Sequence, residues 1–116
     1  MIGLFYLMAQ MAFGQDQKIA DSLTIVYRVD RLTGTEKLEL LRNLSFNELN
    51  NNELSLKYAE ELIALSELEN NNTYLCRGYL LKGDKYIKTG DLELALDAYF
   101  NSVQAARNGK FIKGET

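Results

Sequence analysis

A chain of 116 residues, 47% apolar and 25% charged, has room for one small soluble domain. Its net charge is −3, its pI is about 5.0, and its Lys and Arg are scattered, which argues against the concentrated positive face that sequence-independent nucleic-acid binding needs. The absence of histidine removes the commonest general base and metal ligand, and the single cysteine, Cys76, rules out an intrachain disulfide or a thiolate cluster.

Met1 to Gly14 is almost wholly apolar, with Gln10 its only clearly polar residue. It is too short to span a membrane as a helix, which takes about 20 apolar residues, but it suits the apolar core of a secretory signal peptide. Ala12 and Gly14 supply small residues for cleavage after Gly14, although no Lys or Arg precedes the run. The expected organisation is a signal peptide over 1–14 and a helical domain over 15–116. The alternative is an apolar helix packed on the domain. Cleavage would place the domain on the periplasmic or cell-envelope side; without it the chain is cytoplasmic.

From Asp16 to Leu32, Ile19, Leu23, Val26, Tyr27 and Val29 recur at helical steps. Thr33 and Gly34 break that helix, and Thr33 with Glu36 has the spacing of a capping box for the next. The second helix is expected over Thr35–Leu49, the third over Glu53–Glu69, the fourth over Thr73–Thr89 and the fifth over Leu92–Asn108. With no proline in the chain, Gly and Asn must end them: Asn50 to Asn52, Asn70 to Asn72, Gly90 and Gly109. Lys110 to Thr116 reads as the opening of a further helix, so the chain is expected to be part of a longer array. No stretch alternates as a strand would.

The chain also matches itself at one offset. Leu40, Leu41, Asn43 and Phe46 fall over Leu80, Leu81, Gly83 and Tyr86, and Asn50, Asn51, Glu53, Leu54 and Ser55 fall over Gly90, Asp91, Glu93, Leu94 and Ala95. A fixed period near forty residues is the mark of stacked helical units.

The stretch Cys76 to Arg107 resembles a tetratricopeptide repeat. Tyr79, Gly83 and Tyr86 stand at that family's first-helix positions, Gly90 and Asp91 at its turn, and Ala95, Tyr99 and Ser102 at its second-helix positions. Glu36 to Ser66 is similar more loosely, through Asn43, Phe46, Ser55, Ala59 and Leu62. Lys82 stands where a leucine is usual, and no proline closes the unit. The resemblance implies an all-α, right-handed stack of antiparallel helix pairs, an α-solenoid of about five helices. Small residues at the crossings let helix axes approach to about 8–10 Å.

In that family the first helices of the pairs line a concave, partner-binding side. The positions implied here are Lys37, Leu40, Leu41, Leu44 and Asn47 from one unit and Arg77, Leu80, Leu81, Asp84 and Lys88 from the other. Leu80 and Asp84 occupy places used by the carboxylate clamp of chaperone-binding members, so a mixed apolar and charged groove for a peptide or helical segment is expected instead. The Asn-rich turns and the phrase LKYAEELIAL from Leu56 to Leu65 look like the N-terminal region of Bacteroidetes signalling proteins. That likeness implies a non-catalytic sensory module, a membrane tether beyond the C-terminal end, and a class III adenylate/guanylate cyclase or a histidine kinase as output. A stand-alone adaptor is the alternative.

The remaining residues offer little chemistry of their own. Tyr79, Tyr86 and Tyr99 at repeat positions read as core rather than as a ligand box. Adjacent Glu60 and Glu61 do not face each other on a helix. Asp84, Asp91, Glu93 and Asp97 lack the spacing of a calcium loop. Cys76 reads as a small hydrophobe. Neither a phosphate loop nor a nucleophile with its base is present, so no catalytic residue, metal or cofactor is expected.

Overall fold

The computed structural model describes residues 14–115, with side chains as far as Gly109. The signal peptide expected over 1–14 falls, but for Gly14, outside the described residues. Five helices make up the fold: α1 (Gln17–Val29), α2 (Gly34–Asn47), α3 (Asn52–Leu68), α4 (Asn72–Thr89) and α5 (Leu92–Glu115). The described residues contain no strand, and none of their helices is long and apolar enough to cross a membrane.

Side-chain oxygens start α1, α3 and α4, and left-handed residues follow α1, α3 and α4. Asp16, Asn51 and Asn71 accept hydrogen bonds from Lys18, Leu54 and Tyr74 amides at 2.9, 3.0 and 3.1 Å, which satisfies donors that a helix start leaves unpaired. At the end of α3, Asn70 takes φ 54, and the Asn71 amide donates to the Ser66 carbonyl at 2.8 Å. At the end of α4, Gly90 takes φ 83, and the Asp91 amide donates to the Tyr86 carbonyl at 2.9 Å. Both are Schellman closures, the form that lets two helices double back over a short turn.

Each helix runs antiparallel to the next. Between α4 and α5, Gly109 lies against Asn72, Ser102 donates to the Cys76 carbonyl at 2.9 Å, and Gly83 meets Tyr99. As one residue number rises, its partner's falls. Helices two apart therefore run in the same direction; Tyr27 on α1 bonds Glu61 on α3, and Gln17 reaches Glu48, the residue that closes α2. On α2 and α4, Glu39 lies beside Tyr74 and Arg77.

The crossings are made by small groups. The Ser45 hydroxyl donates to the Ser55 carbonyl at 2.9 Å and the Ser55 hydroxyl returns the bond to the Ser45 carbonyl at 2.6 Å, with both side chains buried. A methyl on Gly78 would stand 2.8 Å from Ile63, and one on Gly83 would stand 2.5 Å from the Tyr99 ring. Ala59 and Ala95 are completely buried. Around them lies one apolar core of Ile19, Leu23, Leu38, Leu40, Leu41, Leu44, Tyr58, Ala59, Leu62 and Leu81.

Several expectations need correcting. Thr33 makes no capping bond; Gly34, at φ 59, turns the chain into α2 instead. Gly109 does not stop α5, which runs on to Glu115, so the residues from Lys110 continue this helix rather than open another. Glycine serves there for its size, because an added methyl would stand 2.9 Å from Asn72. Tyr79, Tyr86 and Tyr99 are half-buried, and the aromatic truly enclosed is Tyr58. Its ring meets that of Tyr27 edge-on, with centroids 5.2 Å apart.

Overpacking a crossing is therefore the sensitive change. Ala95→Leu is expected to lower the unfolding free energy by about 1–3 kcal/mol. Leu68→Ala, at a side chain 79% exposed, should change it by less than about 0.5 kcal/mol. Urea unfolding followed by far-ultraviolet circular dichroism measures both.

Candidate functional site

The first-helix positions divide sharply. Leu40, Leu41, Leu44 and Asn47 on α2 are no more than 2% exposed, and Leu81 on α4 is buried as well. They do not line a groove. The reason is the place of α2, which packs against α1, α3 and α4 together and so has little free surface. Asn47 is fully committed: its side-chain oxygen accepts from the Asp16 amide at 2.8 Å, and its amide donates to the Asn43 carbonyl at 2.9 Å. Lys37 pairs with Asp30 at 2.7 Å and lies 5.0 Å over the Tyr27 ring, tying α1 to α2.

On α4, Arg77, Leu80, Asp84 and Lys88 are exposed. Arg77 lies 5.0 Å over the Tyr74 ring and 3.9 Å from Glu39. Glu39 also accepts from the Tyr74 hydroxyl and from Arg42 at 3.1 Å. That cluster is internally satisfied, with each cation and hydroxyl already spent on one carboxylate.

An open cleft of about 460 Å³ lies between the C-terminal parts of α2 and α4, lined by Gly14, Gln15, Phe46, Asp84, Lys85 and Lys88. The start of α1 forms its edge because Gln15 donates to the Phe46 carbonyl at 2.9 Å. Gln17 fixes that edge further, accepting from the Leu49 and Asn50 amides at 2.6 and 2.9 Å. Sequence reasoning named Asp84, Lys88 and Phe46 but missed Gln15 and Lys85. The helical period places Lys85 one position from Asp84, yet it does not reveal that this lysine is 3% exposed. Burial, and then the charge of Lys88, push its amine below the ordinary lysine range.

Asp84 is oriented from α5. The Tyr99 hydroxyl donates to its carboxylate at 2.5 Å. This bond first, and burial second, push the Tyr99 phenol up to about 12. The cleft therefore presents an aromatic edge, one fixed carboxylate and two amines of unequal exposure. Among the described residues no group of His, Cys, Asp and Glu is arranged to hold a metal. Comparison with known protein families, curated proteins and solved structures returns no match for the chain.

Burial and the Glu61 carboxylate likewise hold the Tyr27 phenol up at about 12. A phenol with a raised folded pKa contributes stability that is complete below its unfolded value near 10 and is lost as pH climbs through the folded value. The melting temperature is therefore expected to fall steadily between pH 10 and 12. Tyr99→Phe should flatten that fall, because it removes one of the six phenols that the fold pushes above their ordinary value. Thermal melts across that pH range, with tyrosinate absorbance at each pH, test this.

Proposed function

We propose that this chain is a non-catalytic interaction module of the tetratricopeptide-repeat type, whose cleft between α2 and α4 takes a peptide or helical segment. The observation that carries the reading is Lys85. Burying an ammonium costs free energy that a structural residue would avoid, and a methionine of similar length would fill the space without that cost. Asp84 and Glu48 oppose that cost only in part, since burial is the largest influence on this amine, and a ligand carboxylate would complete the opposing charge. With Lys88 beside it and Phe46 across from it, the fitting ligand carries a carboxylate next to an apolar anchor.

Three features support the finer reading of the fold as a stack of paired helices. Neighbouring helices run antiparallel, alternate helices run in the same direction, and the self-similar offset in sequence pairs α2 with α4. The resemblance extends the proposal to the sensory N-terminal part of a bacterial signal-transduction protein with a cyclase or histidine-kinase output. On that reading the module senses, and the purified chain converts neither ATP nor GTP.

Selection from a displayed random-peptide library, followed by calorimetry, tests the binding proposal. Enriched sequences are expected to pair Asp or Glu with a large apolar residue. Lys88→Glu should weaken them at least tenfold. Lys85→Met should abolish the preference for acid while raising the melting temperature. Enrichment without acidic residues, or binders indifferent to both substitutions, would remove the cleft as the site.

A further inference from the structure

The most exposed apolar surface lies away from the cleft, on α5. Ala95, Ala98, Ser102 and Ala105 occupy one side of this helix and are buried. Leu92, Leu96, Phe100 and Val103 follow each other by steps of four, four and three, so they share a neighbouring side. They are 60, 68, 61 and 47% exposed. Tyr99 links this stripe to α4, because its hydroxyl reaches Asp84, which lies between the exposed Leu80 and Ile87 on that helix.

Its charges are divided end from end. Glu93 and Asp97 stand in the first turns of α5, Arg107 follows further along, and no charged residue falls between Asp97 and Arg107. Such a helix complements itself when reversed. Set antiparallel with Phe100 on the two-fold axis, Glu93 of one copy stands opposite Arg107 of the other, and Leu96 stands opposite Gln104, one residue from Val103. The helix dipoles oppose as well.

We propose that the Leu92–Leu96–Phe100–Val103 face of α5 is the interface of a symmetric homodimer, in which two copies of α5 pair antiparallel. Isologous pairing of this kind uses the same patch twice. Together with Leu80 and Ile87 the stripe offers on the order of 500 Å² of apolar surface per copy, large for a patch left to water. Two such patches reach about 1,000 Å² in all, the lower bound for a specific interface, so the dimer is a weak one.

Sedimentation equilibrium of the full 116-residue chain tests it. The parent is expected to be dimeric at about 100 µM with a micromolar dissociation constant. Phe100→Asp should weaken association more than tenfold and leave the circular dichroism spectrum unchanged, since the side chain is exposed. Ile25→Asp, at an exposed position on α1, should remain dimeric. Arg107→Glu should weaken the dimer several-fold, and adding Glu93→Arg to it should restore association. A parent that stays monomeric throughout, a Phe100→Asp chain as dimeric as the parent, or a charge exchange that restores nothing would overturn the proposal.

Discussion

From α2 to α5, each helix meets the next most closely where a side chain is missing or minimal. Gly83 gives room for the Tyr99 ring, Gly78 for Ile63, and Ser45 and Ser55 lie so close that each hydroxyl reaches the other's backbone. A helix axis can approach another to about 8–10 Å only if the crossing residues are small. Larger side chains then surround the crossing and exclude water, and their burial supplies most of the stabilisation. With few residues to bury, the fold has little redundancy, so each crossing matters.

The two halves meet this requirement with different residues. At the repeat offset, Asn43 corresponds to Gly83 and Ala59 to Tyr99. The first pair carries an amide on its first helix and a methyl on its second. The second pair carries a hydrogen atom on its first and a phenol on its second. Ser45 likewise corresponds to Lys85, so a neutral buried hydroxyl in one half becomes a buried amine beside the cleft in the other. Leu40 is enclosed while its counterpart Leu80 is 43% exposed, although α2 and α4 each pack against three other helices. Equivalent positions thus serve the core in one unit and the surface in the next, and the proposed partner surfaces all involve the second unit.

Much of this was legible in the sequence. Helical spacing of Leu and Val marks the helices, and paired asparagines and Gly90 mark their ends, because left-handed closure favours those residues. The misplaced concave residues show where such reasoning stops. Periodicity identifies which side of α2 is apolar, but not how many neighbours will cover it, so Leu40, Leu41 and Leu44 read equally well as groove or core. Gln17 gave no signal at all, since its bonds to Leu49 and Asn50 join parts of the chain that only the fold brings together. Gly109 was misread because glycine ends a helix and permits close approach by the same lack of a side chain, and sequence alone does not separate the two.

The closeness of α4 and α5 at Gly83 can be observed directly by proton magnetic resonance. Cross-relaxation is expected between the Gly83 α-protons and the Tyr99 ring protons, with those α-protons displaced upfield by the ring current. Gly83 α-protons at ordinary helical positions, with no cross-relaxation to Tyr99, would contradict the packing on which the whole account depends.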